Sequence, residues 1–114
     1  MGDCLFCKII DKEIPSEILY EDDSVIAFKD VNPQAPIHIL VIPKEHIESA
    51  RDIDKDNCHV IGHIFAVIRD LAKELGLDED GYRVVNNCGK HGGQTVSHIH
   101  FHILGGRQLS WPPG

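Results

Sequence analysis

The 114-residue sequence has no apolar run approaching the roughly eighteen residues that cross a bilayer, and its first apolar stretch, Leu5 to Ile10, is broken by Lys8 and closed by Asp11. A soluble, cytoplasmic protein is the expectation. The opening Met-Gly-Asp-Cys-Leu-Phe lacks the Ser or Thr that a myristoylation signal places where Phe6 stands, so no lipid anchor is expected. Basic residues are also short: eleven Lys and Arg against eighteen Asp and Glu leave a formal charge of -7. That balance excludes a broad nucleic-acid surface, which needs a cationic face to displace counterions, but it leaves room for one nucleotide in a pocket. There is no phosphate-cradling GxxxxGK[ST] motif and no clustered Asp pair set up for magnesium, so no magnesium is required. Repeats and Ser-, Gly- or Pro-rich linkers are absent as well, and the length suits one domain over residues 1–114. In a reducing compartment the four cysteines are expected as thiols or metal ligands rather than disulfides.

What is present reads as an α+β order. LFCKIIDKEI suits a short helix that stops before Pro15. EILYEDD, SVIAFKD and APIHILVIP follow as three strands separated by short turns, which suggests antiparallel pairing. A long helix is expected from about Asp54 or Asp56 to Leu75, with Ile61, Ile64, Phe65, Ile68, Leu71, Ala72 and Leu75 as its apolar stripe and Gly76 as a left-handed cap. YRVVNN and SHIHFHIL supply two further strands around the loop CGKHGGQT. The expected fold is a five-stranded antiparallel sheet with one long helix and a short N-terminal helix.

The run SHIHFHILGG carries the chemistry. In a strand His98, His100 and His102 share one face while Ile99, Phe101 and Ile103 share the other. Alternate residues lie roughly 7 Å apart and the outer pair roughly 13 Å, so a single zinc, with bonds near 2.1 Å, would have difficulty gathering all three. A three-histidine metal-dependent hydrolase is therefore the weaker reading. The stronger one puts a neutral imidazole, His100, in the middle as a nucleophile toward phosphorus, with His102 donating to a phosphate oxygen. Such transfers depend on positioned donors, and the loop just upstream offers backbone N–H groups at Gly92 and Gly93 together with Gln94 and Thr95. Near the start, Cys4-Leu5-Phe6-Cys7 is a CxxC that by itself fits zinc, redox chemistry or coincidence. The redox version normally opens a helix in a strand-helix-strand fold, an order not seen here. His59, His63 and His91 belong to no recognisable pattern, and His59 and His63, which share a face of the long helix, read as solvated; Cys58 and Cys88 read as small packing residues.

HIHFHIL resembles the His-φ-His-φ-His-φ-φ signature of the histidine triad family, φ being apolar. IIDKEIPSEILYEDD, AFKDVNPQAPIHILVIPKEHI and GGQTVSHIHFHILGGRQLSWPPG resemble its HINT branch, purine nucleoside phosphoramidases. The resemblance covers nearly the whole chain. It implies a histidine triad fold and hydrolysis of purine nucleoside 5'-phosphoramidates, AMP- or GMP-like, through a nucleotide transiently bonded to His100. It implies a catalytic set of His98, His100, His102 and His38, with Asn87 near the leaving group and Thr95 at a position where the family often has Ser. Asp30 is implied to accept from both ribose hydroxyls, and Phe6, Ile9, Ile14, Phe28 and Val31 to hold the purine. Family members with this CxxC complete a structural zinc site with the residues matching His46 and His98, which would give Cys4, Cys7, His46 and His98 here. A homodimer is implied too, with residues 107–114 a C-terminal tail in which Leu109 to Gly114, and Trp111 above all, reach the partner's pocket. From another class, a nucleotide-binding or scaffold module with incidental turnover would use the same pocket.

Overall fold

A computed structural model describes residues 4–114. The first helix, α1 (Leu5–Ile10), is capped by the Cys4 side chain, whose sulfur accepts from the Cys7 amide. It is shorter than LFCKIIDKEI suggests, ending at Asp11, after which Lys12 takes a φ of 64°, a left-handed conformation that helix cannot pass through. A hairpin of β1 (Ile18–Glu21) and β2 (Val25–Lys29) follows. Its turn is closed by Asp22, one carboxylate oxygen of which accepts from the Ser24 and Val25 amides. Then come β3 (Ile37–Pro43), a 3-10 turn at Ala50–Asp52, α2 (Cys58–Glu74), β4 (Arg83–Val85), a single helical turn α3 (Gly89–Gly92), and β5 (Phe101–Gly105). The strands form one antiparallel sheet in the order β1-β2-β3-β5-β4.

Both faces of the sheet's centre are covered, which is why VIAF and HILVIP read as continuous apolar runs rather than alternating ones. Val25, Ala27, Ile39, Val41, Ile99, Phe101 and Ile103 pack under α2. Ile26, Phe28, Leu40 and Ile42 pack with Phe6 and Ile9 of α1 on the other side. Period two sends alternate residues to the two helices.

The long helix begins later than the sequence suggests because Asp54 and Asn57 spend their side chains on the turn before it. Asp54 Oδ1 accepts from the Asp56 and Asn57 amides, and Asn57 Oδ1 from the Asp54 amide, local bonds that compete with helix. Its apolar stripe is also rotated. Val60, Ile64, Val67, Ile68, Leu71 and Ala72 are buried, whereas Phe65 is 48% and Leu75 37% exposed. Phe65 lies at the border, its ring 5.6 Å from Phe101. Gly76 does take a positive φ, 75°.

β5 is shorter than the histidine run, so His98 and His100 precede the strand and only His102 belongs to it. β4 stops at Val85, opposite His102, and the pairing with β3 ends at Val41 opposite Phe101. Beyond that point the extended chain is held by the Ile99 amide on the Ile47 carbonyl at 2.6 Å and by the Asn86 side-chain amide on the His100 carbonyl at 2.9 Å. The alternation of faces survives without a ladder. Among the described residues no helix is long and apolar enough to cross a membrane.

Ile64→Ala should cost about 2–5 kcal/mol in urea denaturation, the usual range for emptying a buried site of this size. Phe65→Ala should cost distinctly less; equal losses would place the helix in the rotation that the sequence pattern alone suggests.

Candidate active site and metal centre

A cleft of about 320 Å³ opens between α1 and the sheet. Phe6, Ile9, Ile14, Phe28 and Leu40 give it apolar walls, Val31 and Asp30 stand toward one end, and Thr95, Val96, His100 and His102 line it as well. The apolar wall comes from α1 and from the even-numbered residues of β2 and β3, the same side chains that fill the smaller core. Val31 is 98% exposed, a rim residue rather than an enclosed one.

Hydrogen bonding assigns the ring protons. His100 Nδ1 lies 2.8 Å from the His98 carbonyl, which can only accept, so Nδ1 carries the proton and Nε2 keeps its lone pair. Behind it, the Gln34 amide donates to His38 Nδ1 at 3.0 Å. His38 therefore bears its proton on Nε2, which lies 2.8 Å from His102 Nδ1 and 3.3 Å from an Asp30 carboxylate oxygen. His102 in turn must hold its proton on Nε2, and that buried atom meets no hydrogen-bond partner among the described residues. An orphaned N–H beside the lone pair of a neighbouring imidazole suits an anionic ligand. Burial, with His100 and His38 adding to it, pushes His102 down to about 4. His38 is lowered as well, by burial against the pull of Asp30.

The loop upstream differs from its sequence reading. Gly89–Gly92 forms a helical turn, and the Gly93 amide donates to the Lys90 carbonyl, so it is not free for an anion. Gln94 is spent on the backbone: its Oε1 accepts from the Gly89 amide and its Nε2 donates to the Glu48 and Val96 carbonyls. Among the described residues the Thr95 and Val96 amides donate to no protein acceptor, and both residues line the cleft. Asn87 is half-buried and, like Gly93, Gln94 and Trp111, lies outside the cleft lining; Trp111 is 80% exposed. Asn86, which the sequence reading passed over, holds the His100 carbonyl. No local pattern distinguishes it from Asn87, and only the position where β4 ends makes the difference.

His98 turns away from the cleft. Its Nε2 donates to the Pro43 carbonyl at 2.8 Å, and its Nδ1 faces Cys4 Sγ at 3.5 Å, Cys7 Sγ at 3.6 Å and His46 Nδ1 at 3.2 Å. Cys7 Sγ lies 3.3 Å from His46 Nδ1. Around a tetrahedral zinc with bonds of about 2.0–2.3 Å, donor atoms stand roughly 3.3–3.8 Å apart, so the four residues fit such an ion and can hold a metal. Without one, burial and the neighbouring Cys4 push the Cys7 thiol up to about 11, and burial takes His98 down to about 4. Asp30, His38 and His102 also gather three donors. There the 2.8 Å between imidazole nitrogens is the length of a shared proton.

Elsewhere, His63 is not merely solvated: its Nε2 meets an Asp22 carboxylate oxygen at 2.6 Å. Cys58 is exposed rather than packed, while Cys88 is half-buried.

Residues 3–110 match the family model described as scavenger mRNA decapping enzyme C-terminal binding. A HIT-like protein of Synechococcus elongatus is 52% identical over 112 residues, 98% of this chain and 97% of that one. Among solved structures, a HIT family hydrolase from Legionella pneumophila superposes with a TM-score of 0.96 at 49% identity, covering 98% of this chain and all of the other. A histidine triad protein from Clostridium difficile gives 0.94 at 54% identity over 96% of each chain. The chain belongs to the histidine triad (HIT) family, whose solved members include proteins named as hydrolases.

His102 has a folded pKa near 4 against an ordinary 6.5. Below pH 6.5 the unfolded chain takes up a proton that the folded one refuses, so this contribution to stability is full above 6.5 and is lost as pH falls toward 4. His102→Gln should flatten the fall across that window by up to about 1.4 kcal/mol per pH unit. Urea midpoints measured at a series of pH values test this, and an unaltered slope would show that the ring titrates freely.

Proposed function

We propose that this protein hydrolyses purine nucleoside 5'-phosphoramidates through a nucleotide bonded transiently to His100. The observation that carries the reading is the pairing, in one cleft, of a His100 Nε2 lone pair with the unpartnered N–H of His102. The base is held between Phe6, Ile9, Ile14 and Phe28, with Val31 closing over it at the rim. Asp30 accepts from the ribose hydroxyls, a suitable task for a carboxylate. The α-phosphate sits over His100, its oxygens receiving the His102 Nε2–H, the Thr95 hydroxyl and the Thr95 and Val96 amides. Charge on those oxygens meets donors already in place.

His100 Nε2 attacks phosphorus, the P–N bond breaks, and the amine departs with the bonding pair and takes up a proton from solvent. The imidazole, now carrying phosphorus on Nε2 and a proton on Nδ1, is cationic, and the His98 carbonyl stabilises it. Water then attacks phosphorus and gives up a proton to solvent, the imidazole leaves with its pair, and the nucleoside monophosphate is released. His38 holds His102 in the tautomer that donates. His98 contributes its carbonyl rather than its ring. Cys4, Cys7, His46 and His98 would hold a zinc ion whose shell is filled by protein, the arrangement of a structural site, which cross-links three segments of the chain.

His100→Ala should reduce hydrolysis of adenosine phosphoramidate by at least about a thousandfold, the order seen when a nucleophile is removed, while AMP binding stays within a few-fold. Acid-quenched protein from a slow substrate should carry the nucleotide on His100. Undiminished turnover by the variant would sink the assignment.

We further propose a homodimer joined at the β4 edge, with residues 107–114 as a tail that reaches the partner. Supporting it are the edge position of β4, the partly exposed rings of Tyr82 and Phe65, and a tail held by the Arg83 guanidinium on the Ser110 carbonyl with Trp111 presented outward. Light scattering should give twice the 12.7 kDa of the chain, and deletion of residues 107–114 should alter the substrate preference. A monomeric mass would overturn the edge-to-edge arrangement.

A further inference from the structure

We propose that the Cys4, Cys7, His46 and His98 tetrad is an allosteric control on the nucleotide cleft: metal in the tetrad tightens nucleotide binding, and nucleotide in the cleft tightens metal binding to the same degree. The inference rests on the reading of the cleft as a nucleotide site.

The two sites share the parts they are built from. α1 has six residues, far fewer than the roughly twelve to fifteen at which a helix becomes even marginal by itself in water. Its place is therefore set by what it touches, and it touches both sites. Cys4 caps it and Cys7 lies in its first turn; between them, Phe6 stands with its ring 5.6 Å from Phe28 and 5.1 Å from His100. One face of a short helix thus makes the base-binding wall while its amino end supplies half of the metal ligands. The second connection runs through His98, whose Nδ1 faces the thiols while its carbonyl fixes the His100 ring at 2.8 Å. Phe6 of the wall adjoins the ligand Cys7, and the hydrogen bond to the His98 carbonyl joins the tetrad to the imidazole that meets phosphorus.

Without a metal the tetrad is a poor clamp. His98 Nε2 is committed to Pro43, so its Nδ1 is a lone pair, 3.2 Å from His46 Nδ1. One proton on His46 can bridge that gap, but sulfur contacts at 3.3–3.6 Å are weak hydrogen bonds at best. A divalent ion that favours thiolate and imidazole replaces them with four bonds, pinning α1 to the approach of β5 and to the segment after β3. A cleft wall ordered beforehand need not be ordered by the nucleotide, so the metal-loaded form binds it more tightly. Thermodynamic linkage requires the converse with the same factor.

The test uses the full wild-type chain, zinc as the metal, and one nucleotide and one nucleoside as ligands. Chelated and zinc-loaded protein are titrated calorimetrically with AMP, and with adenosine, which has no phosphate to bind zinc directly. Zinc affinity is then measured against a competing chelator with and without saturating adenosine. We expect one zinc per chain, ligand binding roughly tenfold weaker in the chelated form, and zinc affinity raised by that same factor when adenosine is bound. His46→Ala, whose site lies outside the cleft lining, should show the weaker affinity whether or not zinc is added. Equal affinities in both forms would overturn the coupling, as would less than half a zinc per chain. A chelated protein that does not stay folded would also overturn it, because a metal needed for folding is not a control. AMP failing to bind either form would overturn the nucleotide reading instead.

Discussion

An extended chain has two faces and no third, and residues 98–103 use both. Ile99, Phe101 and Ile103 are driven under α2 by the free energy of burying apolar surface, and this leaves His98, His100 and His102 nowhere to go but the opposite side. His98 and His100 are thereby buried and His102 half-buried. Each then needs a partner for its N–H, and the three answers differ: the Pro43 carbonyl for His98, the His98 carbonyl for His100, and an open cleft for His102. Core packing on one side of a chain thus fixes tautomers on the other. The divergence of His98 from its two neighbours also means that the triad is not a uniform row, but one ring turned toward Cys4, Cys7 and His46 followed by two rings that face the cleft.

The parts of this arrangement legible in the sequence are those governed by period and by chemical type. Alternation in SHIHFHIL gave the division of faces, and apolar runs bounded by turns gave five strands in antiparallel order. The CxxC raised the metal question, although its partners came from family resemblance and not from spacing. What could not be read depends on where one element ends relative to another. Nothing in YRVVNN says that β4 stops at Val85, yet that end point makes Asn86 a clamp on the His100 carbonyl and leaves Asn87 outside the cleft. Gln94 and Gly93 looked like donors for a ligand because they are polar or permissive and close in sequence to the histidines. A helical turn at Gly89–Gly92 consumes the Gly93 amide, and three backbone groups consume Gln94. The stripe of α2 was misjudged by its edges: Phe65 and Ile61 flank the true contact line through Ile64, Ile68 and Leu71, and a large side chain at a border fits either rotation on paper.

The cleft offers an anion no unpaired Lys or Arg side chain among its lining residues, since the Lys29 ammonium is paired with Glu17 at 2.9 Å. No Lys or Arg other than Lys29 is among its lining residues, in a chain of net charge -7. Affinity for an anion must therefore come from aimed dipoles, the imidazole N–H and the backbone amides, acting where burial keeps the dielectric low. Such contacts are short-ranged and directional, and they are screened less by salt than exposed charges are. They favour a single phosphate in one pose over an extended polyanion.

The contact between His63 on α2 and Asp22 in the β1–β2 turn reaches across the molecule's outer layer, with the Tyr20 hydroxyl on the same carboxylate oxygen at 2.6 Å. β1 is an edge strand of four residues paired on one side only, the kind of element that ordinarily opens first in native-state fluctuations. Fastened to the longest helix, it gains that helix's resistance to opening. Amide protons of β1 should then exchange with deuterium together with those of the first turns of α2, as one cooperative unit.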